Sequence, residues 1–507
     1  MKSLLPQPTS DLAIVLRDLG MVVPMVGVMA LISLIIPGVY GESFGYAPLL
    51  LTAGASFLLG ALLYFPFRGA GDAKLKHGMI IAGFGWLLVA ALGSLPFTLM
   101  FLLSPEIAAL PQFITLKEFA DPLNGFFEAV SGYTGTGLTM AARADLLPAT
   151  LQWWRSFTEW IGGMGVIVLM LAILAGPRPG AAQYSLYYAE ARGEKIHPSI
   201  ASTLRTMWWI FLLYTTVSVI ALWGAGMPIW EAVNHAMTGI STGGFSVTAN
   251  SIASYNSIAI EMVLIPIMLF GAISFGVHYE LMQGRGRILW RDAQTRWLWI
   301  ITLVGSLFLT LEMGIQIGWI PSLRESVFQF ASAISCTGFQ SANLFRWTDT
   351  AKLLLAAGMV FGGAAGSTAG GIKIMRVMVL VKGVQWRFRK ITSPRGAIVP
   401  FRIGDTLVDE SDVGQRLEDA ALITFLWIAF LALGVFVLLH TVSAPFDLGD
   451  VIFEVASAQG NVGLSVGITN PAMSSLAKLT LCFNMWIGRL EIIPVLMLIR
   501  SLIYRRQ

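Results

Sequence analysis

The chain has 507 residues, of which 56% are hydrophobic and only 12% charged, and its mean hydropathy is +0.72. A soluble domain carries about 25% charged residues, so an aqueous globular fold is excluded and an integral membrane protein is indicated. The formal net charge of +4 decides little, and the two cysteines, Cys336 and Cys482, lie in or beside apolar segments and imply no disulfide framework.

The apolar runs are unbroken over about 20 residues, which means helices rather than the short alternating strands of a barrel. Met1 to Ser10 is polar and carries Pro6 and Pro8. The first run, Met21 to Val39, is too long for a cleaved signal peptide and reads as a retained helix. Ala47 to Phe67 is the second, followed by Arg68, Lys74 and Lys76. From Met79 onward the plan repeats: an apolar run, a short polar segment, another apolar run. The flanking runs are Met79 to Leu103 with Trp153 to Ala175, then Met207 to Trp223 with Ile258 to Leu281. Trp297 to Ile320 with Lys352 to Val381, and Ala420 to His440 with Leu476 to Tyr504, complete the set. The expected fold is an all-α polytopic membrane protein with about ten transmembrane helices. Two N-terminal helices (1–76) precede pore repeats at 77–199, 200–291, 292–391 and 419–507, with a cytoplasmic linker at 392–418.

The short polar segments share a motif. Setting Gly137, Gly244, Gly338 and Gly463 as one position aligns the rest. Leu138, Phe245, Phe339 or Leu464 follows; Ser131, Thr238, Ser332 or Ser457 stands six residues back; Glu128, His235, Gln329 or Glu454 stands nine back. The copies lie about 107, 94 and 125 residues apart, room for a membrane module each. Each begins with roughly ten residues of helix-forming sequence; Asp121-Pro122, Pro228 and Asp447 mark three of the starts. A half-helix followed by non-helical backbone is tolerated at membrane depth only inside protein or around water.

Lys and Arg fix the expected orientation. Arg68, Lys74, Arg178, Arg192, Arg285, Arg291, Arg387 and Arg402 fall on one side, whereas the motif side has few, such as Lys117, Arg143 and Lys478. Both termini are therefore expected in the cytoplasm, with the four motif segments dipping in from outside. The linker contains an alternating stretch that reads as a β-hairpin turning at Gly404-Asp405: a solvated connector, or a docking surface for a cytosolic partner.

Four such segments around one axis would present a ring of backbone carbonyls able to replace the hydration shell of a monovalent cation. Glycine lets the backbone turn a carbonyl inward without Cβ strain, and half-helices aim their partially negative ends at the centre. The candidate cation-binding residues are Thr136, Gly137, Gly243, Gly244, Thr337, Gly338, Val462 and Gly463, flanked by Gly135, Thr242, Cys336 and Asn461. Ser131, Thr238, Ser332 and Ser457 could bond local backbone and stiffen each segment. Glu128, His235, Gln329 and Glu454 could tie the half-helices to neighbours, with a solvated mouth role for one or two.

Phe361 to Lys373 interrupts a helical run with Gly362, Gly363, Gly366, Gly370 and Gly371. Each interior glycine costs a helix about 1 kcal/mol relative to alanine, so an unwound segment is expected. Close helix packing is the plainer reading of these small residues; a movable gate is the sharper one. Arg489 lies mid-membrane, where an arginine costs at least about 2.5 kcal/mol. It faces either a carbonyl partner or the pore, where its charge would gate with the glycine loop. Arg155 and Glu159, one turn apart, are expected to pair, and Lys373 and Arg376 read either as plain cytoplasmic flank or as anchors of the glycine loop.

These residues resemble the Trk/Ktr/HKT superfamily of potassium transporters, the Trk-type membrane subunit in particular, over nearly the whole chain. The resemblance rests on Ser131-Gly132-Tyr133-Thr134-Gly135-Thr136-Gly137, Trp160-Ile161-Gly162-Gly163-Met164-Gly165, the stretch Gly362 to Lys373, and Gly488-Arg489-Leu490-Glu491. It implies K+ as the bound and transported ion, favoured by glycine at Gly137. It also implies a homodimer in a bacterial inner membrane and a cytosolic NAD- or ATP-binding regulatory subunit. No cofactor, nucleic-acid partner or enzymatic activity is expected of the chain, whose contacts are otherwise with membrane lipid. The rival readings are the potassium-binding subunit of an ATP-driven pump and a secondary transporter of another small solute. A membrane enzyme is disfavoured because the five histidines show no ligand spacing.

Overall fold

The computed structural model describes residues 10–165, 196, 199–394, 399–404 and 406–503. Among these the fold is helical apart from one hairpin. The leading helices are α1 (Asp11–Tyr40, kinked at two points) and α2 (Ser43–Phe67). Repeat 1 holds α3 (Leu75–Leu103), half-helix α4 (Pro122–Thr134) and α5 (Ala149–Met164). Repeat 2 holds α6 (Ile200–Gly224), half-helix α7 (Ile229–Ile240) and the pair α8 (Ile258–Gly271) and α9 (Phe275–Met282). Repeat 3 holds α10 (Ala293–Ile317), half-helix α11 (Trp319–Ile334), α12 (Asp349–Val360) and α13 (Ile374–Thr392). Repeat 4 holds α14 (Glu410–Leu439), half-helix α15 (Leu448–Gln459), and the pair α16 (Ser475–Arg489) and α17 (Ile493–Ile503).

Six helices are long and apolar enough to cross a membrane, and two bent pairs pass the same test, among the described residues. The other two expected spans are α5, whose continuation to Ala175 lies outside the described residues, and α12–α13. Outer helices face lipid: only 28% of the apolar window in α6 and 17% of that in α14 is buried. Large side chains such as Leu303, Ile315 and Phe425 stand exposed there, as expected where the solvent is hydrocarbon.

Two runs expected as single spans are bent. The α8–α9 axis turns by 109° and α16–α17 by 114°. Ser274 caps the restart of α9 through Val277 N. At the second bend Glu491 and Ile492 take φ of 53° and 75°, a conformation costly for a β-branched residue, just before Pro494. Each bent pair is apolar enough overall to pass as one span, so hydropathy alone does not show the bend.

The repeats are clipped together at one register. The fourth residue of α5, α8, α12 and α16 each reaches the next half-helix. Gln152 accepts from Trp230 Nε1 at 2.8 Å, and Glu261 pairs with Arg324 at 2.7 Å. Lys352 pairs with Asp450 at 2.6 Å, and Lys478 with Asp121 at 3.3 Å. The last contact returns to the first half-helix, so the four repeats close around one axis. The expected hairpin is present: β1 (Phe401–Ile403) pairs antiparallel with β2 (Thr406–Val408), and Gly404 takes φ 59°.

Candidate functional site: four half-helix ends around one axis

Each half-helix ends in the same way. The residue two before the shared glycine is left-handed: Gly135, Thr242, Cys336 and Asn461 have φ of 65°, 54°, 57° and 52°. The next N–H, of Thr136, Gly243, Thr337 or Val462, returns 2.9 Å to the carbonyl of Ser131, Thr238, Ser332 or Ser457. The left-handed residue itself donates to Gly132, Gly239, Ala333 or Ala458. This bond pair is the Schellman termination, built four times. It satisfies carbonyls that would otherwise be orphaned in a buried site.

The shared glycines have φ of 87°, 86°, 85° and 96°, and their surroundings show why no other residue fits. A Cβ on Gly137 would lie 2.2 Å from the Gly243 carbonyl oxygen, and one on Gly244 1.9 Å from that of Thr337. On Gly338 it would lie 1.9 Å from the Val462 oxygen, and on Gly463 2.1 Å from the Thr136 oxygen. Each segment thus abuts the next, and the fourth abuts the first. The carbonyls of Thr136, Gly243, Thr337 and Val462 form a closed ring with the four glycines between them. All eight candidate residues and their four flanks come together here.

The polar residues nine back from the glycines are buried, so none lies in a solvated mouth. Each ties down its own return segment instead. Glu128 accepts from Thr139 Oγ1 at 2.8 Å and Met140 N at 2.7 Å, and Glu454 from Ser465 Oγ at 2.7 Å and Val466 N at 3.1 Å. His235 bonds Ser246 Oγ at 2.8 Å, and Gln329 donates to Ser341 Oγ at 3.1 Å. The six-back hydroxyls divide. Thr238 donates to Asn234 O and Phe245 O, and Ser457 accepts from Gly463 N, whereas the Ser131 and Ser332 hydroxyls have no partner among the described residues.

Arg155 and Glu159 do not pair with each other. Arg155 bonds Glu128 at 2.6 Å, Ser246 O at 2.8 Å and Thr139 Oγ1 at 3.1 Å, so it joins the first and second segments. Glu159 accepts from Phe245 N at 2.9 Å. Partners on other segments outcompete the helical neighbour, and i,i+4 spacing carried no sign of them.

One face of the ring opens into a cavity of about 660 Å³, lined by all four glycines and by groups such as Thr139, Ser246, Gln340 and Ser465. The opposite face is covered by residues 361–373. Gly362 N donates to Ile372 O at 3.1 Å and Ile372 N to Val360 O at 2.9 Å, closing the neck of this loop. Ala364 N bonds Ala272 O and Thr368 N bonds Gly271 O, while Gly366 O accepts from Phe275 N: the loop seats in the α8–α9 bend. The Thr368 hydroxyl meets that of Thr242 at 3.0 Å. A Cβ on Gly370 would fall 2.2 Å from Gly460 O, so the loop also touches the fourth segment.

Arg489 binds this loop. It donates to Thr368 O at 3.1 Å, and to Gly162 O and Gly163 O at 2.6 and 2.9 Å. Lys373 donates to Ala369 O and Arg376 pairs with Glu491. Of the two readings of this pair, the contacts match the anchor: Lys373 holds the loop and Arg376 the final bend.

Four half-helices ending in one carbonyl ring define a four-repeat pore-loop membrane protein. The chain belongs to the TrkH family of cation transport proteins, whose family model matches residues 50–504. It is 31% identical over 499 residues to an uncharacterized cation transporter of Methanocaldococcus jannaschii, covering 98% of this chain and 97% of that one. It is 29% identical over 489 residues to the Trk system potassium uptake protein TrkH of Escherichia coli K12, covering 93% and 96%. The crystal structure of the potassium transporter TrkH from Vibrio parahaemolyticus superposes with a TM-score of 0.79 at 27% identity, covering 97% of this chain and 99% of that one.

Proposed function

We propose that this chain carries K+ into the cell across a bacterial cytoplasmic membrane, with the carbonyl ring as its selectivity filter. The observation that carries the reading is the closed ring, in which each glycine is held against the carbonyl of the next segment. A bare monovalent cation loses its water only where several carbonyl oxygens replace it, and four half-helix C-terminal ends add negative potential there. The relatives described as potassium uptake proteins support K+ as the ion. The 660 Å³ cavity is then the outer vestibule, which delivers hydrated ions to the ring.

Gly362, Gly363, Gly366, Gly370, Gly371 and Arg489 serve as the gate beneath the filter. The arginine's fixed charge opposes cation passage while its contacts tie the loop, at Thr368 O, to the end of α5, at Gly162 O and Gly163 O. The basic loops and both termini face the cytoplasm. The working form is a homodimer with a cytosolic NAD- or ATP-binding regulatory subunit, and no nucleotide fold is needed in this chain. Purified protein in liposomes should take up Rb+ as a K+ surrogate with no ATPase subunit present. Absence of Rb+ and K+ flux overturns the reading, and uptake only with an added ATPase subunit assigns the chain to a pump.

A further inference from the structure

The four segments differ at the residue before the ring glycine: Thr136, Gly243, Thr337 and Val462. Thr136 and Thr337 turn their hydroxyls back onto the half-helix ends, bonding Thr134 Oγ1 and Ser335 Oγ at 2.8 Å each. A side chain at this position therefore lies behind the segment. Gly243 has none, yet its backbone is not among those in the left-handed region, so its conformation admits a side chain. Glu159 is what excludes one. A Cβ on Gly243 would lie 2.2 Å from both Cγ and Cδ of Glu159.

Glu159 is fully buried. Its Oε2 accepts the Phe245 N–H at 2.9 Å, and its Oε1 has no hydrogen-bond partner among the described residues. Its place in the repeat is informative. It stands seven residues after Gln152, the clip residue of α5. Seven residues after the clips Glu261, Lys352 and Lys478 stand Met268, Met359 and Met485, all fully buried. Three repeats thus set a methionine at this register and a threonine or valine before the ring glycine. In the remaining pairing a carboxyl side chain faces a glycine.

We propose that Glu159 is a positioning residue that determines ion specificity: it fills the space behind Gly243, ties down Phe245, and so fixes the Gly243 carbonyl within the ring. The inference rests on the filter reading above. Gly243-Gly244 is the segment with the most backbone freedom, because two successive residues lack Cβ. Without an outside anchor its carbonyl would wander, and a ring with one loose quadrant accepts smaller cations more readily.

The test is Rb+ uptake by the purified full-length protein in liposomes, with Na+ as competitor. Glu159→Gln keeps the length and the acceptor, and its Rb+-over-Na+ ratio should stay within about twofold of the parent. Glu159→Met and Gly243→Thr should each lower the ratio about tenfold, a mid-range effect for residues in contact. Glu159→Met with Gly243→Thr, which gives this segment the pairing of the others, should recover most of that loss. An unchanged ratio in Glu159→Met, or strictly additive losses in the double variant, overturns the proposal. Where Glu159→Met does not yield a monodisperse protein, Gly243→Ala gives the same reading, and a parental ratio there is equally fatal. Gly338→Ala lies on another segment and is the control. If it too leaves the ratio unchanged, the filter reading has failed rather than the role of Glu159.

Discussion

Gly135 and Gly338 are both glycines with positive φ, at 65° and 85°, yet they are not equivalent. Nothing lies within 4 Å of a Cβ placed on Gly135, and its counterparts are Thr242, Cys336 and Asn461. That position demands a left-handed turn, which non-glycine residues adopt at a cost of roughly 1–2 kcal/mol and asparagine more readily than most. Gly338 carries the same conformational demand and also a carbonyl 1.9 Å from its missing Cβ. Gly338→Ala should therefore reduce Rb+ uptake by at least about tenfold, since the clash falls on the ring itself and comes on top of the backbone cost. Gly135→Asn should leave uptake within about twofold. Equal loss in both variants, measured in liposomes, would mean that the turn rather than the carbonyl spacing is what matters. The alignment of the four glycines was readable from sequence because it recurs at fixed offsets. The left-handed state of Thr242 and Cys336 was not, because their residue types argue against it.

At the level of elements, sequence announced the half-helices and the glycine loop and concealed the bends. Polar residues in an apolar chain mark Glu128, His235, Gln329 and Glu454, whereas the α8–α9 and α16–α17 breaks lie in stretches whose mean hydropathy still passes for a single span. Their local signals, Ser274 as a cap and Pro494 after Ile492, become decisive only once the glycine loop is seen seated in the first break. The expected loop is unwound, but it is not slack: its neck, the α8–α9 bend and Arg489 all hold it. One further contact lies away from the ring. Gln294, near the start of α10, accepts from Ala365 N at 2.9 Å. Gln294→Leu removes that hold alone. A net hydrogen bond of about 0.5–1.5 kcal/mol corresponds to about a 2- to 10-fold shift toward an open loop. Rb+ uptake should rise within that range while the Rb+-over-Na+ ratio stays constant. A changed ratio would mean that the loop shapes the filter instead of covering it.

At the scale of the whole molecule, a ring of four unlike segments must be kept closed from a distance. The clips Gln152–Trp230, Glu261–Arg324, Lys352–Asp450 and Lys478–Asp121 do this at a common register, each from the fourth residue of its helix. Sequence could not disclose them. The partners stand far apart in the chain, and their chemistry varies from amide–indole to ion pairs of either polarity. The Lys352–Asp450 pair is the most buried of the four, with 6% and 3% of the two side chains exposed. Removing one member leaves a buried charge alone, which typically destabilises by about 3–5 kcal/mol. Lys352→Met should accordingly lower the unfolding temperature of the detergent-solubilised protein by several degrees, by about 2–4 °C for each kcal/mol at the upper end of domain size. Lys352→Met with Asp450→Leu removes both charges and should regain most of the loss, because an apolar pair of similar volume replaces a buried ion pair at little cost. Should the double variant melt as low as the single one, the clip acts by its charge, holding the third and fourth repeats in register, rather than by filling the gap between α12 and α15.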